Sequence, residues 1–537
     1  MRKIGFIVFS LFLIFAAIGC SSQSEKNMKK EGETTETAAS DQAGSEDAEG
    51  SSSEPIMEAP SSSETSFVIE SKESNSLYNN ENIVISPSSQ LEIEDMNFKG
   101  YGTNPFISTE DDPLSTFAID VDTGSYTVTR NYIQRGVLPP PEAVRVEEFV
   151  NYFKSDSEAP KRNPFGIHVD GGESPFGEGY HLMRVAIKGK EIADENRKPA
   201  NLVFVIDVSG SMEQENRLDL VKRSLQLLVE QLNDNDQVGI VVYGSHARTI
   251  LEPTSIKNKN YILEAIDQLQ SSGSTNAEEG LVLGYEIASD HFQSGAVNRV
   301  ILCSDGVANV GETGPEGILE EIERYARNDI TLSTFGFGMG NYNDVLMEQL
   351  ADQGDGNYSY IDSFSEARRI FTEELTGTLQ TIAKDVKIQV EFDPEKVDRY
   401  RLIGYENRDV RDEDFRDDSV DGGEIGAGHS VTALYEIKVK ENQLDDIGII
   451  KLRFWDTEVE DIIEVSKMLS IEGELYRELK FLAAVAEFAE ILRDSYWARE
   501  SSLLDVLKLA EENARGEKEL EFVTLVKDVI AIQSSDH

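Results

Sequence analysis

The sequence predicts an α/β protein: a doubly wound, mostly parallel sheet, flanked by an N-terminal α+β module and a C-terminal module that is β-rich and then helical. Three observations predict it. Between residues 200 and 383, short continuous apolar runs alternate with amphipathic helical stretches, the pattern of strands covered on both faces. Before that region, a strand-like segment leads into two helical ones. After it the period shortens to that of β-structure, and the chain closes on a helical stretch with an apolar face.

The elements follow in order. Residues 1–20, "MRKIGFIVFSLFLIFAAIGC", open with Arg2 and Lys3, continue in an apolar run over 4–18 and end in small residues. That is the plan of a secretory signal peptide, and the run is short of the ~20 residues a spanning helix needs. Its end, "AIGC", resembles a bacterial lipobox, which implies cleavage before Cys20 and acylation of that sulfur. Several acyl chains anchor a protein stably where one does not. Residues 21–100 are rich in Ser, Glu, Thr and Asn with few large apolar side chains. Such a tract cannot bury enough surface to offset chain entropy and reads as a disordered tether.

Residues 101–199 read as the N-terminal α+β module. "STFAIDV" is strand-like, "SYTVTRNYIQRG" helical with Gly136 past its last turn, and "PPPEAVRVEEFVNYF" a second helix entered through prolines. "HLMRVAIKG" at 181–189 is a further strand. In residues 200–383 strands are expected at 202–207, 237–243, 299–303, 330–337 and 357–361. Helices are expected at 217–232, 260–269, 277–292, 316–328, 342–352 and 364–382. In the first of these, Leu218, Val221, Leu225, Leu228, Val229 and Leu232 recur at spacings of three and four, one apolar face. Residues 384–537 form the C-terminal module, with strands such as "HSVTALYEIKV" and "GIIKLRFWD" preceding the helix of "LKFLAAVAEFAEILRDS".

Composition excludes some partners. The chain carries 50 Lys+Arg against 100 Asp+Glu, a formal net charge of −50. Nucleic acid and anionic lipid both require a basic footprint, so neither is expected as a ligand. There are 2 cysteines, Cys20 and Cys303. Cys303 lies in the apolar "RVILCSDG" with no basic neighbour to lower its pKa, and is expected to be an inert core residue.

The chemistry is carried by oxygen. Asp207, Ser209 and Ser211 follow the carboxyl end of one predicted strand in "LVFVIDVSGSM". Thr275 lies in "SSGSTNAEEGL", a loop before a helix, and Asp305 ends another strand in "ILCSDG". In doubly wound sheets ligands sit at the carboxyl ends of the strands, so three separated segments deliver hydroxyls and carboxylates to one edge. An all-oxygen set suits a hard divalent cation, Mg²⁺ foremost with Mn²⁺ or Ca²⁺ also suited, whereas zinc or copper takes nitrogen and sulfur. Ser, Thr and Asp also cap helices and close turns, but that use does not explain their convergence at one edge.

"DVSGSM", "GSTNAEEG" and "CSDG" resemble the metal-ion-dependent adhesion site (MIDAS) of von Willebrand factor type A (VWA) domains, which have a Rossmann-like sheet. The resemblance covers residues 200–383. It implies metal contact by Ser209, Ser211 and Thr275, with Asp207 and Asp305 acting directly or through water, and an open position for a partner's carboxylate. "FAIDVDTGSY", "LPPPEAVRVEEFVNYF" and "GEIGAGHSVTALYEI" are similar to the N- and C-terminal modules of a bacterial family of exported VWA lipoproteins.

The expectation is therefore a binding protein and not an enzyme. It would be lipid-anchored through Cys20 outside the cytoplasm, and its metal site would engage an acidic group on a protein or glycan. The alternative is an envelope assembly or chaperone-like scaffold whose metal is structural. A metal-dependent hydrolase ranks lowest, because no general base is evident. "DVDTGS", with Asp120, Asp122 and Ser125, is expected to be a strand-to-helix turn and not a second metal loop, since it lacks the length and terminal Glu of an EF-hand. "GFGMGN" at 336–341 reads as a tight turn, His429 as structural, and the acidic run 409–424 as a solvated loop.

Overall fold

The computed structural model describes residues 96–155, 157–306, 314–340, 342–441 and 443–535. The predicted signal peptide, Cys20 and nearly all of the 21–100 tract lie outside the described residues. Among the described residues, no helix is long and apolar enough to cross a membrane.

Four strands precede the central region: β1 (Ile107–Ser108), β2 (Leu114–Ala118), β3 (Phe165–Glu173) and β4 (His181–Gly189). The central sheet comprises β5 (Ala200–Asp207), β6 (Gln237–Tyr243), β7 (Arg248–Ser255), β8 (Val297–Ser304), β9 (Ile330–Phe337) and β10 (Tyr358–Ile361). Its order is β10-β9-β8-β5-β6-β7, parallel except for β7. The five expected strands and six expected helical stretches of this region are present, with ends shifted by a few residues.

β5 shows why the sequence folds this way. All eight of its residues are buried, and their side chains alternate between faces. Leu202, Phe204 and Ile206 enter the core lined by helices Arg217–Gln231 and Lys259–Asp267, while Val203 and Val205 enter the core under helix Ala277–Asp290. That last helix sits unusually close to the sheet. A Cβ on its Gly284 would come within 2.4 Å of Val205 Cγ2, and one on Gly280 within 2.7 Å of the Tyr243 ring.

Two features depart from the periodicity. β7, "RTILEPTS", was not expected; only Leu251 along it is buried, and Pro253 is tolerated because this is the sheet edge. The helix expected over 364–382 is divided into Phe364–Arg368, a wider turn at Arg369–Glu373 and Leu375–Leu379. It then gives way to strand at Thr381, which pairs with Gly426. Arg369 fixes the break by binding Glu366, Glu374 and Thr123.

The remaining strands are β11 (Thr381–Phe392), β12 (Val397–Ile403), β13 (Gly423–Gly426), β14 (Ser430–Val439), β15 (Gly448–Asp456) and β16 (Asp461–Leu469). They combine with the strands from before the central region. One sheet runs β1-β12-β14-β4-β3, and the other β13-β11-β15-β16 with β2 also paired to β11. Phe117, Met183, Val185 and Ile187 share one core with Ile388, Val390, Phe392 and Leu452. The described segments on either side of the central region thus fold around each other. Helices follow the same rule: Phe149 and Phe153 pack with Phe481, Phe488 and Phe522 of the C-terminal helices.

Candidate metal site

The site is assembled at the carboxyl ends of β5 and β8, which are adjacent and in register, Ile206 opposite Cys303. Asp207 is the last residue of β5. Its Oδ1 accepts the Ser209 N–H at 2.8 Å, the tight turn that a carboxylate two residues upstream makes. Its Oδ2 accepts the Ser304 hydroxyl at 3.1 Å, and Ser304 Oγ in turn accepts the Gly306 N–H at 3.1 Å. The Ser209 and Ser211 hydroxyls lie 3.0 Å apart in a hydrogen bond. Asp207, Ser209 and Asp305 are buried, whereas Ser211 is half-buried. The oxygens therefore run from a buried floor toward solvent.

Thr275 lies on a loop that is fastened to this edge through its backbone. Gly210 N–H donates to the Gly273 carbonyl at 3.0 Å and Ser272 N–H to the Val208 carbonyl at 2.5 Å. The loop before helix Ala277–Asp290 is thereby fastened to the "DVSGS" turn, with Thr275 half-buried two residues past the contact. That helix starts there because Asn276 accepts the Glu279 N–H at 3.3 Å.

Electrostatics set the demand for a cation. Burial, and then the nearby charge of Asp305, push Asp207 up to about 6, against the pull of its hydrogen bonds from Ser209 and Ser304. Two carboxylates are held close in a poorly hydrated place. Among the described residues, no group of three or more His, Cys, Asp and Glu side chains forms a metal cluster. The donors here are instead two carboxylates and three hydroxyls, with neither nitrogen nor sulfur. That set fits a hard divalent ion.

Three neighbours were not foreseen from the sequence. Ser304 binds Asp207. Tyr243, at the end of β6, is buried beside it, and its phenol is pushed well above the usual range by burial and by the Asp207 charge. Arg217 places Nη1 2.7 Å from Asp305 Oδ2, with both side chains almost wholly buried. One signal for Arg217 was in the sequence: a cation opening a helix opposes the helix dipole and calls for an anionic partner.

The other sequence features resolve as follows. Asp120 accepts the Asp122 N–H at 2.9 Å, Asp122 accepts the Tyr358 N–H at 2.9 Å, and Ser125 donates to the Ala143 carbonyl at 2.7 Å. Arg408 lies 3.4 Å from Asp120 and 3.6 Å from Asp122. "DVDTGS" is thus a strand-to-helix turn with an arginine counter-ion. Cys303 is buried, and its thiol is pushed far up by burial. Desolvation holds His429 down to about 4, so its ring is neutral. The run 409–424 is less solvated than expected, since Asp414 and Phe415 are buried and Asp412 accepts the Thr116 hydroxyl at 2.5 Å.

Comparison with known proteins adds the family. The von Willebrand factor type A domain family matches residues 201–373, a second family described as von Willebrand factor matches 92–184, and one described as the C-terminal part of the uncharacterized protein YfbK matches 377–532. The chain is 38% identical to the uncharacterized protein YfbK of Escherichia coli K12 over 463 residues, 80% of each chain. It is 29% identical to the uncharacterized protein sll0103 of Synechocystis over 191 residues, 36% of this chain and 44% of the relative. A solved von Willebrand factor type A protein from Catenulispora acidiphila aligns with 70% of this chain and 91% of its own at 16% identity and a TM-score of 0.41. The central sheet and its helices are a von Willebrand factor type A fold, and the chain belongs to the YfbK family of proteins built on that domain.

Proposed function

We propose that this protein is a non-enzymatic binding protein that uses a divalent ion, Mg²⁺ foremost, to engage an acidic group on a partner protein or glycan. The ion would be held by Asp207, Ser209, Ser211, Thr275 and Asp305. When bound it supplies a positive centre with room for one further oxygen ligand. The chain's own residues do the rest. Asp207 is fixed by Ser209 and Ser304, the hydroxyls of Ser209 and Ser211 are set side by side, and the 272–275 loop is tied to the turn that carries them. Cys20 would anchor the protein outside the cytoplasm, to the bacterial cell membrane or envelope, through the 21–100 tract.

The observation that carries this reading is the paired burial of Asp207 and Asp305 at one sheet edge, beside the hydroxyls of Ser209, Ser211 and Ser304. A type A domain is consistent with a role in protein–protein interaction. The test is affinity capture from the native envelope with Mg²⁺ or with EDTA, using Asp305→Ala as control. Capture that needs the ion and Asp305 supports the reading; capture indifferent to both removes it. The scaffold alternative is separated by Ser209→Ala with Ser211→Ala. Lost capture at an unchanged melting temperature favours adhesion, and a collapsed melting temperature favours a structural ion.

A further inference from the structure

We infer that Arg217 is a built-in counter-cation of the metal cradle, holding Asp305 when no ion is bound and weakening the cradle's hold on a divalent ion. This rests on the metal reading above and goes past it, because it makes the ion exchangeable and not a permanent structural element.

The guanidinium is where a second cation would be least welcome unless it had this use. Arg217 opens helix Arg217–Gln231, and its side chain is 5% exposed against 4% for Asp305, at 2.7 Å. A buried arginine at a helix N-terminus meets both the dipole and the desolvation cost. Its compensation comes from Asp305 and from the Met339 carbonyl, which accepts from Nη2. The loop after β9 is shaped to receive it. Gly338 has φ +76°, and a Cβ there would lie 2.2 Å from Arg217 Nε. The Gly338 carbonyl accepts the Tyr360 hydroxyl at 2.8 Å, fixing the loop from its other side. The arginine is therefore seated by three segments of the fold and is not a stray surface charge.

The consequence follows from charge. With Asp207 and Asp305 ionised, the cradle without Arg217 would carry two negative charges; with it, the sum is one. Hard-cation affinity rises with the number of charged ligands, and a guanidinium on one ligand carboxylate repels a dication placed beside it. Without an ion, the same guanidinium relieves the repulsion between the two carboxylates. The cradle stays folded when empty, and its affinity is set low enough for exchange.

The experiment titrates Mn²⁺ into the protein by calorimetry and records melting temperatures in EDTA and in Mn²⁺, for the wild type, Arg217→Gln, Arg217→Lys, Gly338→Ala and Asp305→Asn. Arg217→Gln is expected to bind Mn²⁺ about tenfold more tightly or better, to melt lower than wild type in EDTA and to recover in Mn²⁺. Arg217→Lys keeps the charge and is expected to stay near wild-type affinity. Gly338→Ala displaces the guanidinium without removing it and is expected to bind more tightly, so it decides the matter if Arg217→Gln fails to fold. Equal or weaker Mn²⁺ binding by the decisive variant, with Asp305→Asn abolishing it, overturns this inference alone. No Mn²⁺ binding by any of the proteins overturns the metal reading with it.

Discussion

Arg130 grips Asp362 through two parallel hydrogen bonds, Nε to Oδ2 at 2.6 Å and Nη2 to Oδ1 at 2.7 Å, with both side chains almost fully buried. The same guanidinium lies 3.1 Å from Glu366 and 3.1 Å from Glu521. One side chain thus joins helix Gly124–Gln134, the end of β10 and the last helix of the chain. A buried pair broken on one side leaves an uncompensated charge. Arg130→Met is expected to lower unfolding free energy by about 3–5 kcal/mol in urea denaturation. Adding Asp362→Asn should restore part of that, because the two changes act on one network.

Stability should also respond to pH through Glu147. Its carboxyl is buried, and burial followed by the charges of Glu406 and Asp120 raises it to about 7, against the Tyr405 N–H it accepts at 3.0 Å. The folded pKa lies above the unfolded one, so the folded chain holds a proton that the unfolded chain has lost. This contribution is complete below about pH 4 and declines as pH rises through about 7. Glu148, raised to about 8, acts with the same sign. Glu147→Gln keeps the acceptor oxygen but cannot ionise. Its stability should fall less steeply than wild type between about pH 5 and about pH 8; parallel curves would contradict the assignment.

Helix Ala277–Asp290 carries the Thr275 loop, and its position depends on Gly284. A methyl there meets Val205 at 2.4 Å. Gly284→Ala is expected to cost about 1–3 kcal/mol by overpacking, even though alanine favours helix. A more stable variant would show that the helix can lift from the sheet without loss.

Cys303 should be silent toward thiol reagents. It is buried in the central core with its thiol pushed far up. Peptide mapping after iodoacetamide is expected to find it unmodified in the native protein and modified in denaturant. Rapid native labelling would mean that β8 opens locally.

The net charge of −50 sets a further expectation. An acidic partner is repelled at long range and captured only near the ion. Association should therefore become faster with added salt, which screens the repulsion, at constant free Mg²⁺. A rate that falls with salt would place the contact on a basic patch instead.

The central sheet was legible because a strand covered on both faces is apolar along most of its length, as β5 is from Leu202 to Ile206, and because its polar end then stands out. Asp207, Ser209, Ser211 and Asp305 were read from that contrast. Ser304 and Tyr243 were not, since their roles depend on which strand ends adjoin, and adjacency leaves no local mark; Arg217 left only the sign of a cation opening a helix, with nothing to name Asp305 as its partner. The same holds for the sheets shared between 107–189 and 381–469. β3, "FGIHVDGGE", carries glycines and charged residues and finds its place only by pairing with β4, residue for residue from Phe165 with Gly189 to Glu173 with His181.

The proposed hold of Asp207, Ser209, Ser211, Thr275 and Asp305 on a divalent ion is open to direct measurement. Electron paramagnetic resonance of Mn²⁺ titrated into the protein tests it most directly. The free Mn²⁺ signal is expected to be quenched by about one equivalent of wild type and to return when Mg²⁺ is added. No quenching is expected from a Ser209→Ala/Ser211→Ala protein that melts like wild type in EDTA. Quenching by the doubly substituted protein equal to that of wild type would contradict the proposed hold.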